Sequence, residues 1–104
     1  MNRDERLARN ETAFREVNEG IRAAAGASEP HDKWEFICEC SITGCTDVIE
    51  LTLPEYEHVR KLATAFALRP GHEIVEIEKI VERFDGFIVV HKQGDAAKIA
   101  IADA

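Results

Sequence analysis

No stretch of this 104-residue chain is apolar for long enough to cross a membrane. The opening MNRDERLARNE is charged and lacks the apolar core of a signal peptide, so the cytoplasm is the expected location. There is no glycine-rich phosphate loop, no paired-carboxylate site and no internal repeat. Positive charge is in short supply: 13 Lys and Arg face 20 Asp and Glu, a net charge of −7. Residues 1–22 hold five arginines and five acids, so the whole deficit falls on residues 23–104. An acidic body repels phosphate backbones, and no nucleic-acid partner is expected. Cysteine is scarce and odd in number, at three. A disulfide leaves one thiol over, and in the cytosol reduced or metal-bound thiols are the expectation.

What is present is the composition of a folded domain, 45% hydrophobic and 32% charged, which excludes a disordered or low-complexity chain. The length fits one domain. Part of it reads as an extension, which leaves a body near the size at which a metal or disulfide commonly supplements the core.

Residues 1–25 read as a helix. Leu7, Phe14 and Ile21 recur every seven residues, with Asn10, Val17 and Ala24 on the adjacent line, a narrow apolar stripe. Glu5–Arg9 and Glu11–Arg15 are favourable i,i+4 pairs, and Gly26 is a stop signal. Residues 26–33 read as a linker and 34–93 as the folded body. Trp34, Phe36, Cys38, Cys40 and Ile42 alternate with Glu35, Glu39 and Ser41, the pattern of a strand with one buried face. Thr43-Gly44 reads as a turn and Asp47–Leu51 as a returning strand. Thr52 with Glu55 forms a capping box, with Pro54 in the first turn, opening a helix to about Ala65 that turns Tyr56, Val59, Leu62 and Ala63 inward. Phe66–Leu68 is a short strand before the Pro70-Gly71 turn. Ile74, Ile77, Val81 and Phe84 have helical spacing, yet Asp85-Gly86 signals a hairpin of 77–84 with 87–92, and the hairpin is the favoured reading. From Gly94 to the end, residues 94–104 form an Ala-rich tail with little to hold it.

One constellation carries chemistry. Cys38 and Cys40 sit two apart on a strand, so their thiols share a face. Cys45 can be brought alongside by the intervening turn, and His72 follows a tight turn that can aim its ring. Three thiolates and an imidazole are a complete tetrahedral set for one structural zinc ion. The alternatives are ordinary buried thiols, a Cys38–Cys45 or Cys40–Cys45 disulfide, and a cysteine nucleophile activated by His72. Three clustered thiols fit the last poorly, because a nucleophile needs one exposed thiol of low pKa. His31, His58 and His91 read as solvated residues. The Glu73, Glu76, Glu78, Glu82 series reads as a solvated acidic face.

The segments RNETAFREVNEGI, FICECSITGCTDVIELTLPEYEHVR, RPGHEIVEIEKIVE and GFIVVHK together resemble a family of small uncharacterised bacterial proteins, largely actinobacterial. The distinctive pattern is C-E-C-x4-C, E-Y-x-x-V-R and P-G-H, which falls on Cys38, Cys40, Cys45, Glu55, Tyr56, Val59, Arg60, Pro70, Gly71 and His72. The resemblance implies that the four ligand candidates belong together and implies no activity. The chain departs from it in its tail, which ends Ala-Ile-Ala-Asp-Ala without a longer acidic end.

The expected fold is α+β: a long N-terminal amphipathic helix, a zinc-clasped β-hairpin, a short helix and a second β-hairpin. The expected role is a non-catalytic interaction or regulatory adaptor. In it Leu7, Phe14, Val17 and Ile21 meet a protein partner or a second copy, unless the helix packs on its own body. A thiol-based redox or metal sensor is the rival, and a small enzyme comes third.

Overall fold

The computed structural model describes residues 3–25, 29–42 and 45–102, with backbone alone for 3–12 and 95–96. The element order is α1 (Arg3–Ala24), β1 (Lys33–Ile37), β2 (Val48–Thr52), α2 (Leu53–Arg60), β3 (Ala65–Leu68), β4 (Glu78–Phe84), β5 (Phe87–Lys92) and α3 (Gly94–Ala102). The mixed α+β class is as expected. The Gly26 stop, the Thr43-Gly44 turn, the Leu7 side chain and the Glu5–Arg9 and Glu11–Arg15 pairs lie outside what is described.

Two small antiparallel sheets are built around hairpins. β1 pairs with β2, placing Phe36 opposite Ile49 and Trp34 opposite Leu51. The second sheet has the order β3-β5-β4. Its β4–β5 hairpin turns at Asp85-Gly86, where Gly86 takes a φ of +88°, a conformation open to glycine at little cost. Phe84 and Phe87 flank the turn as a stacked pair with centroids 4.6 Å apart. A bulge at Val81 kinks β4, the outer strand. The hairpin signal thus prevails over the helical spacing of residues 74–84.

The central strand β5 and the edge strand β3 are each buried on both faces, which explains their unbroken apolar runs AFAL and FIVV. One face, Ala65, Ala67, Phe87 and Val89, packs with Phe36, Ile49 and Leu51 of the first sheet and Tyr56 and Val59 of α2. The other, Phe66, Leu68, Ile88 and Val90, packs with Cys38, Cys40 and Ala100. The cysteines are therefore part of the second core layer.

The structure corrects four expectations. First, β1 stops at Ile37 and does not run on to Ile42. Cys38 N–H still donates to Asp47 O (2.9 Å), but Glu39 N–H donates to Ala67 O (2.9 Å), so the chain changes sheets between these residues. Period-two alternation is lost there: Cys38, Glu39, Cys40 and Ser41 are all buried, and Ile42 is exposed. Second, α2 ends at Arg60, and Leu62 points to solvent. Ala65–Leu68 gains a full strand partner in β5, and that pairing overrides the helix propensity of alanine. Arg60 also donates to the carbonyl of Ala65 and holds the turn shut. Third, the tail is helix α3, packed along α1, with Ala100 fully buried and Ile99 against Ile77. Fourth, Glu78 is not on a solvated face: its carboxylate is wholly buried, 2.8 Å from the equally buried Lys92 Nζ.

Helix α1 lies on the body, and among its described side chains, 13–24, the two buried ones are polar, Arg15 and Asn18. Asn18 is fully buried; its amide accepts from Ile37 N–H and donates to Ile37 O, both at 2.7 Å, as a neighbouring strand would. Arg15 donates to the carbonyl of Ala63 and lies over the Phe66 ring, 3.9 Å from its centroid. Burial pushes the Arg15 guanidinium down to about 10, helped by nearby Arg60. Of the stripe, Val17 is exposed, Phe14 is half-buried, and Ile21 is half-buried against the first core layer with Ala25.

Candidate metal centre

Four elements of chain deliver four donor atoms to one place. Cys38 follows the last residue of β1, Cys40 lies in the crossover between sheets, Cys45 comes from the loop before β2, and His72 follows β3. The Pro70-Gly71 turn swings His72 back: Gly71 has a φ of +92°, and His72 N–H donates to Arg69 O (3.1 Å). The three Sγ atoms and one ring nitrogen all lie within 4.8 Å of one another. His72 Nδ1 is 3.6 Å from both Cys38 Sγ and Cys45 Sγ. A tetrahedral ion with bonds of about 2.3 Å to sulfur and about 2.05 Å to nitrogen has S···N edges of about 3.5–3.6 Å. The spacing thus matches the edge of a coordination tetrahedron, and these residues could hold a metal ion. All three cysteines are free thiols, so the disulfide alternatives are not what the fold contains.

The surroundings favour thiolate at Cys38 alone and place a carboxylate beside the imidazole. Cys38 Sγ accepts the Arg69 N–H at 3.1 Å. A hydrogen bond from Cys40 lowers the Cys38 pKa, with the Arg69 amide adding to it against burial. Its bond to Cys38, together with burial, raises the Cys40 thiol; burial raises Cys45. On the far side of the His72 ring, Nε2 is 3.5 Å from Asp47 Oδ2, which also lies 3.4 Å from Arg69 Nη1. A carboxylate on the second ring nitrogen fixes the orientation and tautomer of a ligating histidine. Cys38 and Cys40 are fully buried, and Cys45 and His72 are half-buried at the mouth of the site.

The residue between the two buried thiols, Glu39, was expected to face solvent and instead is a buried hub. Its Oε2 accepts from Tyr56 Oη (2.9 Å) and Asn18 Nδ2 (3.0 Å); its Oε1 accepts from Ala67 N–H (3.0 Å) and faces Arg60 Nη2 (3.5 Å). Four donors converge on an acceptor-only carboxylate, which satisfies it without water. Sequence reading missed Glu39, Asn18, Asp47 and Arg69. A signal for the first was available, since Tyr56 and Arg60 stand four apart on one helix face. Asn18 had none, being one polar residue among many on α1.

Elsewhere, His31 is exposed in the segment before β1 and His91 is half-buried on β5. His58 Nε2 sits 2.8 Å from Glu82 Oε1 on an exposed face. Both His58 and His91 line a shallow cleft of about 380 Å³ with Val59, Leu62 and Val81. The described residues contain no helix long and apolar enough to cross a membrane. No protein-family model matches this chain, and no curated protein or solved structure matches it either, so its chemistry rests on the Cys38, Cys40, Cys45, His72 group.

Proposed function

We propose that Cys38, Cys40, Cys45 and His72 hold one structural zinc ion, and that the protein is a zinc-stabilised, non-catalytic interaction or regulatory adaptor of the cytosol. The observation that carries this is the pair of 3.6 Å Sγ···Nδ1 edges in a convergent three-sulfur, one-nitrogen set. That donor set suits zinc above harder cations, which take oxygen. Four protein ligands complete a tetrahedron and leave no position for the water on which zinc hydrolases depend. The likeness to small actinobacterial proteins sharing the C-E-C-x4-C and P-G-H pattern is in keeping with this reading.

The test is metal content and stability together. Protein purified without chelator should carry about one zinc per chain. Alanine at any one of the four ligands should lower both zinc content and melting temperature, the latter by about 10 °C or more, since binding energy here is folding energy. A zinc-free protein with an unchanged melting temperature ends the idea. A zinc ion held by three protein ligands and a water would revive an enzyme.

A thiol-based redox sensor is the second reading, supported by Cys45, the one cysteine partly open to solvent. It predicts that peroxide ejects zinc, whereas a purely structural site keeps it. For the partner-binding role of α1, Val17 is the stripe residue on the open side, half-exposed at 47%.

A further inference from the structure

Glu39 stands between two of the metal-ligand candidates and is the only described carboxylate bonded to α1 within the core. Its neighbours Cys38 and Cys40 turn to the cluster while its own side chain turns to Asn18, Tyr56 and Arg60. The direction of Glu39 is thus set by the backbone of residues 38–40, and that backbone is what a metal on both flanking thiols would clamp. The same stretch carries the other ties of α1, because Asn18 also makes both hydrogen bonds to Ile37, the residue just before Cys38. Asn18 has no further polar atom to offer, and every bond it makes falls within three residues at the edge of the cluster.

Resting on the zinc reading above, we infer that metal occupancy governs the docking of helix α1. With the ion bound, residues 37–39 present a fixed carbonyl, amide and carboxylate to Asn18. With the ion gone, the two thiols keep only the weaker hydrogen bonds of Cys38 to Cys40 and to the Arg69 N–H, the hold on that backbone slackens, and the three acceptor and donor positions no longer coincide. Three hydrogen bonds to one buried side chain are lost as a set, because Asn18 needs all of them at one place. The second sheet itself stays seated, because its ladders and the α2 side chains packed on it do not pass through residues 37–39. The helix, whose other described ties in the interior are Arg15 on Ala63 and Phe66, Ile21 against the first core layer and its packing along α3, is the element that detaches. Coupling of this kind is reciprocal: if metal favours docking, docking favours metal by the same factor.

The experiment uses the full-length chain, zinc itself as ligand, and two readouts. Amide hydrogen exchange of residues 13–25 is compared before and after zinc is removed by a chelator, with zinc content measured in both samples. Protection of residues 13–25 should fall about 10-fold or more, while β5 keeps most of its own. In Asn18→Ala, zinc affinity measured by competition with a chromophoric chelator should weaken about 5-fold or more, although Asn18 is not a ligand. Glu39→Gln should do the same, because its amide sets a donor against donors. Helix protection that survives verified zinc removal, with wild-type zinc affinity in Asn18→Ala, overturns the coupling and leaves the zinc site standing. A chain that never binds zinc overturns both. Simultaneous loss of protection in β5 and α1 overturns selective release and makes the metal a global staple.

Discussion

At the scale of single residues, the fold places two of the described carboxylates, Glu39 and Glu78, in its interior and treats them differently. Glu39 is met by four donors from three elements. Glu78 accepts the Ile74 N–H at 2.6 Å and lies against Lys92, whose Nζ is 5.1 Å from the Phe66 centroid. Burial pushes the Glu78 carboxyl up to about 7 and the Lys92 ammonium down to about 7. The signs then follow. A folded Glu78 keeps a proton that the unfolded chain sheds, so its contribution to stability is present below about pH 4.5 and fades as pH rises toward 7. For Lys92 the contribution is present above about pH 10.5 and fades as pH falls toward 7. Glu78→Gln removes the acid limb. Wild-type stability minus that of the variant should fall between pH 4.5 and 7 in denaturant titrations, and a flat difference would contradict the shift. Lys92→Met, which strands the carboxyl beside an apolar neighbour, should cost about 3–5 kcal/mol. Adding Glu78→Gln to it should recover much of the loss.

At the scale of elements, the N-terminal helix departs furthest from its pattern. The Leu7, Phe14, Ile21 stripe suggests a seam for another helix, with the body folding by itself. Among the described side chains the inward ones are Arg15 and Asn18 together with Ile21 of the stripe and Ala25 just past the helix, and the helix also packs along α3. Removing residues 1–25 leaves Glu39 short of a donor and Ile37 short of both its side-chain partners, at about 1–3 kcal/mol for each buried group left unpaired. The truncated chain should melt about 10 °C or more below the intact protein. A truncation with unchanged thermal midpoint would return α1 to the status of a separable docking arm. The α2 helix is the opposite case. Its start was legible because the capping box is local: Thr52 Oγ1 accepts the Glu55 N–H at 3.2 Å and Glu55 Oε1 accepts the Thr52 N–H at 2.8 Å. Its end was not, because Arg60 and β5 decide it from a distance.

At the scale of the whole molecule, the four candidate metal ligands gather where the chain crosses from one sheet to the other. A body whose net charge is −7 surrounds it. Duplex DNA should accordingly not bind tightly at physiological salt. A submicromolar complex with random duplex that weakens as salt rises would show that Arg3, Arg6, Arg9 and their neighbours act as a basic surface despite the acids between them.

The sequence by itself determined the features whose physics is local. Cys38, Cys40, Cys45 and His72 are the residue types that zinc chemistry requires. The capping box, the Asp85-Gly86 hairpin and the apolar runs of β3 and β5 each depend on neighbours a few positions away. Only the tertiary structure decided what depends on distant partners. Glu39 and Glu78 are charged, and nothing in their local pattern separates them from the exposed Glu35 and Glu76; Asn18, Tyr56, Arg60 and Lys92 are what allow them inside. The tail from Gly94 is too short and too alanine-rich to hold itself, yet forms a helix because α1 and Ile77 give Ala100 and Ile99 a surface. A buried charge costs several kcal/mol unless it is paired and hydrogen-bonded, and whether the pair arrives is settled by the fold.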